Sequence, residues 1–529
     1  MKKTMKMMLS GKVAVLLACA ATTVSSYAQE TAKPSDRNFT ISKNLDILNS
    51  IYKNLELFYV DTLETERIIR AGIDAILDRM DPYTEYFPDE ETGDLKMMTT
   101  GKYGGMGAMI RQRKDSTVIV AEPYEGMPAA EAGLQVGDVL LKIDDTDLKG
   151  KNTSEVSDML RGEAGTTFLL TLKRPGEKKT RQVKITRDII KLPSIEYAGM
   201  VGDAGYIDLT QFTEDCSVDV RKAVINLKSR GATSIILDLR SNGGGLLDEA
   251  VKIVNLFVPQ DTLVVETRGK LKSLSTVYKT TGRPLDLDIP VVILVSGNSA
   301  SAAEIVAGAL QDLGRARLVG SQTYGKGLVQ APREVPYNGS LKLTTAKYYL
   351  PSGRCIQKID YKARREGRKA VNEGGITPDV AVHHDTIQNM VVYLANDDVL
   401  IDYGTRYCQT HVKPASVADF SLTDADVAEF LDMVKESGFT YDRLSEKRLA
   451  ALKEMMEFEG YYDDARPEFE ALEKRLHHDI DADFRKYGTD IRRLMANEIV
   501  KRWFFQAGAV EQSLKDDEDL RAALDLLRQ

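Results

Sequence analysis

Residues 291–310 read V-V-I-L-V-S-G-N-S-A-S-A-A-E-I-V-A-G-A-L. The run 291–295 is apolar without a polar break, the pattern of a strand buried on both faces. Small residues then make a loop, and residues 302–310 carry a helical apolar pattern. A like unit precedes it: 234–239, S-I-I-L-D-L, reads as a strand, 242–245 is glycine-rich, and 246–256 reads as a helix. Strands alternating with helices over 190–390 predict an α/β layer with a mainly parallel sheet.

Other units flank this core. Upstream, 101–187 carries short β-type runs (117–121, 139–143, 168–172, 182–185) punctuated by Gly and Pro, with one helix over 153–160. Residues 29–100 are mainly helical: Ile41, Leu45, Leu48 and Ile51 recur at helical spacing, as do Ile68, Ile73, Ile76 and Leu77, until Asp81-Pro82 breaks the pattern. A loop rich in acids and Tyr is expected after that break. Residues 391–529 are charged and helical in pattern, with caps expected at Thr423 and Ser445. The fold class is therefore multidomain α/β: an N-terminal helical region (29–100), a β-rich unit (101–187), the α/β core (188–390) and a helical C-terminal domain (391–529).

The first 28 residues differ from all of these. Lys2, Lys3, Lys6 and Lys12 precede an apolar run over 13–21, and small residues lead to Ser26-Tyr27-Ala28. This predicts a secretory signal cleaved after Ala28 and export to the periplasm or cell envelope. A buried N-terminal helix is the competing reading. Leu16-Leu17-Ala18-Cys19 resembles a lipobox, so lipidation at Cys19 is a second route to the envelope. The net charge of −8 falls to −12 on loss of the four lysines of 1–28. An acidic chain without clustered Lys and Arg excludes a general nucleic-acid binder. Cys216, Cys355 and Cys408 are too few and too widely spaced for a disulfide framework or a zinc motif, so no metal or cofactor is implied.

The chemistry concentrates at 296–305. A Ser at a strand-to-helix junction projects from the C-terminal edge of the sheet, and the next N–H, that of Ala302, is an unpaired donor in the first helical turn. Ser301 is the candidate nucleophile; an ordinary N-cap Ser is the alternative. A Ser nucleophile needs a base. The five histidines, His383 and His384 at the C-terminal end of the core and His411, His477 and His478 beyond it, read as surface or structural residues. Lys326 in 324–330, Y-G-K-G-L-V-Q, is the other candidate: flanking glycines permit a tight turn, apolar neighbours desolvate the amine, and Gln330 can orient it. A solvated loop Lys is the alternative. The glycines of 238–245, D-L-R-S-N-G-G-G, expose backbone N–H groups suited to an oxyanion hole, with Gly244 or Gly245 the donor. Leu246-Leu247 closes this loop where a phosphate cradle would need Lys-Ser/Thr.

These three segments together resemble the carboxyl-terminal processing (tail-specific) proteases, whose pattern is D-L-R-x-N-x-G-G, then S-A-S-A-S-E, then G-K-G-x-V-Q. The middle Ser of that pattern falls on Ser301, and Lys326 follows 25 residues later. Ala303 stands where the family has its third Ser. Residues 81–87, D-P-Y-T-E-Y-F, are similar to the family's D-P-H-S-x-Y segment, 374–380 to the segment that ends its core, and 103–108 and 127–140 to its PDZ domain. The resemblance covers about 41–385. It implies a serine endopeptidase with a Ser301–Lys326 dyad, Gln330 positioning the Lys, and Ala302 with Gly244 or Gly245 as oxyanion donors. It further implies a PDZ loop (Tyr103, Gly104, Gly105, Met106, Gly107) that holds the flexible apolar C-terminus of a polypeptide substrate. Partners so implied are polypeptide substrates, an adaptor protein, and further copies of the chain as a homodimer or higher oligomer. A catalytically silent PDZ scaffold is the competing reading. A Ser-His-Asp esterase is disfavoured by the lack of G-x-S-x-G.

Overall fold

The computed structural model describes residues 34–529 except 92, 94–96, 98–99, 385–386 and 477–478. The signal-peptide and lipobox readings of 1–28, and His477 and His478, lie outside the described residues. The chain divides into two units, 1–77 and 78–529. The described part of the first is two helices, Pro34–Phe58 and Thr65–Asp78. Ile41, Leu45, Leu48 and Ile51 are all exposed.

The second unit is built on the expected parallel sheet. Strands Ala204–Leu209, Ser234–Asp238, Val291–Val295, Arg317–Gly320 and Val380–Ala381 run parallel in that order, and Ile195–Val201 pairs antiparallel at one edge. Successive side chains of a strand point to opposite faces, and here both faces are apolar. Ile235, Leu237, Val291, Ile293 and Val295 pack with helices Cys216–Ser229, Leu247–Val254 and Ala302–Asp312. Ile236, Val292, Leu294 and Val319 pack with Leu520 and Ala523 of the last helix, Glu518–Leu527. The final helix of the chain thus covers the second face of the core sheet. Its capping residue Asp517, with Asp519, receives the guanidinium of Arg240 (2.6 and 2.9 Å), which also holds Asp238.

The helix Ala302–Asp312 is small-residue-rich because it is buried all round. Ala302, Ala303, Ile305, Val306, Ala307 and Ala309 are all at most 1% exposed. A Cβ on Gly308 would lie 2.5 Å from Leu350 Cδ1, so a larger residue would push the Leu350 side chain aside. Ala303 lies wholly inside this core, where a hydroxyl would need a buried partner.

Three further elements frame the core. An antiparallel sheet (Glu85–Phe87, Leu263–Gly269, Thr276–Lys279, Leu328–Glu334, Ser340–Tyr349) is one that the sequence pattern does not announce. It includes Glu85–Phe87, where a loop is expected from the sequence, because that segment hydrogen-bonds to Ser340–Tyr349. The β-rich unit has its strands where alternation places them: Val118–Pro123, Val139–Ile143, Thr167–Lys173 and Arg181–Thr186, with helix Thr153–Leu160. Its hairpin is tied to the C-terminal helices. Arg113 forms two 2.7 Å bonds to Asp402, Lys114 Nζ reaches Asp397 at 2.5 Å, and Lys501 reaches buried Glu122 at 2.5 Å.

The C-terminal helices enclose their own core of Leu394, Tyr403, Phe430, Phe484, Ile491 and Ile499. Thr423 caps Asp424–Glu436 through a reciprocal pair with Asp426. Ser445 does not cap. The helix Leu444–Glu459 begins one residue earlier, after Arg443.

Candidate active site

Ser301 stands at the N-terminus of Ala302–Asp312 with φ 56° and ψ −114°. A non-glycine residue in that region is strained, and such strain persists only where its surroundings hold it. The glycine-rich loop does so. Ala300 N–H donates to Asn242 O (3.0 Å), Ser299 Oγ to Leu239 O (2.7 Å) and Asn242 Nδ2 to Leu209 O (2.7 Å), while Ser296 Oγ bonds Arg240 O. The two sequence motifs are thus one hydrogen-bonded layer at the C-terminal edge of the sheet, where open α/β sheets bind ligands.

Gly244 fits against Ser301. A Cβ there would lie 2.8 Å from Ser301 Cβ, 2.9 Å from Ala300 O and 3.1 Å from Ala302 N, and its φ is +105°. Its N–H already donates to Asn242 Oδ1 at 2.8 Å. Gly245, φ +142°, crosses Phe212 so closely that a Cβ would meet Phe212 O at 2.3 Å. Among the described residues the N–H groups of Ala302 and Gly245 make no hydrogen bond, and both are available to a developing negative charge. Gly244→Ala is expected to lower kcat/KM about 100-fold by displacing Ser301 from its position, as measured by cleavage with the folded fraction verified by a thermal melt.

The lysine loop packs against 356–358. A Cβ on Gly325 would meet Lys358 Cβ at 2.6 Å, and one on Gly327 would meet Gln357 N at 2.4 Å. Gly327 N–H donates to Gln357 Oε1 (2.7 Å). The Lys326 amine is pushed below the ordinary lysine range, first by burial and then by the charge of Lys342, against the pull of Glu85, Asp81 and Glu304. Its Nζ rests over the Tyr83 ring, 4.6 Å from the centroid. Among the described residues no hydrogen bond joins Ser301 Oγ to Lys326 Nζ. Beside Ser301 lies the buried phenol of Tyr348, pushed up to about 12 by burial against the effect of the Ser301 hydroxyl. Gln330 donates to Thr344 Oγ1 (3.2 Å), which in turn donates to Asp81 (3.2 Å).

One residue at the centre of the site carries no role in the sequence motifs. Glu304, wholly buried, accepts four hydrogen bonds. Thr323 Oγ1 (2.6 Å) and Gly325 N–H (2.7 Å) reach Oε1, while Ser301 N–H (2.9 Å) and Lys326 N–H (2.9 Å) reach Oε2. Its carboxyl is held above the ordinary range, burial outweighing the pull of the four donors. A Glu three residues into a helix is a recognisable signal, but only for a helix cap.

The described histidines are elsewhere. His384 Nε2 pairs with Asp519 (3.0 Å), His411 stacks on Tyr407 (3.9 Å between ring centres), and His383 is exposed. Cys216, Cys355 and Cys408 are free thiols.

In the β-rich unit, Tyr103, Gly104 and Gly105 belong to a strand, Lys102–Gly105, paired with Asp188–Lys191, rather than to a loop. The loop proper is Met106 and Gly107, the latter with φ +72°. Tyr103, Gly105, Met106 and Gly107 line a cleft of about 270 Å³ with Ile110 and Leu160 of the neighbouring strand and helix. This is a sheet edge and helix groove of the kind that accepts an added peptide strand.

Three profiles of known families match: Peptidase family S41 over 203–382, a PDZ domain over 119–174, and the "Probable PDZ-protease, C-terminal helical domain" over 390–527. The chain is similar to a carboxy-terminal-processing protease of Bartonella bacilliformis, 37% identical over 64% of this chain and 75% of that protein. It is also similar to a probable CtpA-like serine protease of Staphylococcus aureus, 35% identical over 72% and 73%. Among solved structures, a photosystem II D1 C-terminal processing protease matches at 29% identity over 62% of this chain and 85% of that one, with a TM-score of 0.36.

Proposed function

Since the chain belongs to the carboxy-terminal-processing protease family and is a serine-type peptidase carrying a PDZ domain, we propose that Ser301 is its nucleophile and Lys326 its general base. The observation that carries this reading is Glu304, whose one carboxylate oxygen Oε2 binds the backbone N–H of both residues. Two loops 25 residues apart are tied to a common anchor, and burial pushes the amine beside it below the ordinary lysine range.

In this mechanism neutral Lys326 takes the proton of Ser301 Oγ as Oγ bonds to the substrate carbonyl carbon. The oxyanion is stabilised by the N–H groups of Ala302 and Gly245, and Gly244 supplies the space. Lys326 returns the proton to the leaving amine as the C–N bond breaks. Water then attacks the acyl-enzyme and passes a proton to Lys326, which returns it to Ser301 Oγ as the acyl C–O bond breaks and the carboxyl product leaves. Gln330, bonded through Thr344 to Asp81, positions Lys326. A flexible polypeptide C-terminus, apolar at its end, docks on the PDZ cleft at Tyr103, Gly105, Met106 and Gly107, while Gly104 packs against Gly162 outside it, and the carboxylate meets the loop amides. Residues 1–28 direct export to the cell envelope.

Incubation with an unfolded protein ending in apolar residues tests this. Fragments detected by mass spectrometry are expected, and fewer when the terminal residues are made charged. An intact substrate that nevertheless binds would establish the silent-scaffold reading instead.

A further inference from the structure

Half-buried Tyr83 belongs to a turn held by a cluster of hydrogen bonds. Asp81 Oδ1 accepts the N–H groups of Tyr83 and Thr84, both at 2.9 Å, and the hydroxyls of Thr84 and Thr344 close on the same carboxylate. The next residues, Glu85–Phe87, pair with Ser340–Tyr349. The Tyr83 ring makes an edge contact with Tyr361 (6.2 Å, 86°) and presents its face to Lys326 Nζ at 4.6 Å. An aromatic face attracts an ammonium but not a neutral amine.

We propose that Tyr83 is a positioning residue that holds Lys326 protonated and away from Ser301 until a substrate occupies the groove. The inference rests on Lys326 being the general base. The dyad is then divided at rest between two tyrosines, with Lys326 on the face of Tyr83 and Ser301 beside Tyr348. The groups facing the amine are Lys342, which disfavours its charge, and Glu85, Asp81 and Glu304, which favour it. Tyr324 and Tyr361 face the Tyr83 hydroxyl, whose ionisation burial pushes far above the ordinary range, so Tyr83 stays neutral throughout. The ring face therefore adds to the side that keeps Lys326 charged.

The test is the pH profile of kcat/KM, which reports the free enzyme. Activity requires neutral Lys326, so it rises with pH through the Lys326 pKa. Tyr83→Leu removes the ring face and keeps an apolar cover. Its acidic limb is expected to move down by about 0.5–1 pH unit, with activity below the limb rising about 3–10-fold. Tyr83→Phe keeps the face and the wild-type limb, and Tyr83→Trp moves the limb up. Tyr83→Leu with an unchanged limb overturns the proposal. If that variant is unfolded by thermal melt, Tyr83→Trp carries the test, and a limb that fails to rise overturns it. Full activity of Lys326→Ala would instead overturn the general-base reading. An inactive Lys326→Ala together with an unmoved limb in Tyr83→Leu overturns the role of Tyr83 alone.

Discussion

Ser301→Ala is expected to lower kcat by roughly 10⁴–10⁶-fold, the loss typical when the nucleophile of an interdependent serine-protease site is removed. The fold should survive, because the backbone N–H of Ser301, which the substitution retains, makes the bond to Glu304. Lys326→Ala should be equally inactive. Its backbone bond to Glu304 is retained too, and it relieves the cost of burying an amine, so its melting temperature should be no lower than that of the parent. Lys326→Arg separates charge from basicity. A guanidinium keeps the positive charge but does not give up its proton in proteins, so the variant should bind substrate and fail to cleave it. Cleavage rates measured across pH with a fluorogenic peptide decide the matter, and an active Lys326→Arg would remove Lys326 from proton transfer.

The architecture is legible in the sequence where local pattern and environment agree. The strands at 234–238 and 291–295 are apolar nearly throughout because both faces of the sheet are covered, and such runs stand out from the amino-acid order alone. The PDZ strands alternate because one face is wet. By contrast, Ser340–Tyr349 is half-buried along most of its length, so S-L-K-L-T-T-A-K-Y-Y shows no decisive period. Leu328–Glu334 is hard to recognise as a strand because Pro332 interrupts it and its first residues double as the apolar neighbours of Lys326. Lys102–Gly105 is equally hard to recognise because Y-G-G is a loop signal, and its partner, Asp188–Lys191, lies more than 80 residues away. In the site, Ser301 and Lys326 stand in motifs that announce chemistry. Tyr83 and Tyr348 carry no such signal, since they meet Lys326 and Ser301 only through the antiparallel sheet that brings 81–87 and 340–349 to the lysine loop.

Glu304 is the position where a conservative and a drastic substitution should differ most. Glu304→Ala leaves four buried donors without an acceptor, from Ser301, Thr323, Gly325 and Lys326. Each costs about 1–3 kcal/mol, so the variant should lose several kcal/mol of stability and, in its folded fraction, at least about 100-fold in kcat/KM through loss of placement. Glu304→Gln has a better option. With its amide nitrogen on the Oε1 side, the remaining oxygen still accepts from Ser301 and Lys326. The Thr323 hydroxyl, which already accepts from Ile376 N–H (2.6 Å), can turn to accept a second bond, leaving Gly325 N–H unpaired. Dyad placement then survives, and activity at the optimum should fall only about 10-fold. The charge is gone, however, and Glu304 is one of the groups that favours the Lys326 ammonium. Losing it lowers the lysine pKa, so the acidic limb of kcat/KM should move to lower pH in Glu304→Gln. A limb that stays in place or moves up would show that Glu304 is already neutral in the folded enzyme. Equal inactivity of the Gln and Ala variants would mean that the charge, and not the bonding pattern, holds the two loops together.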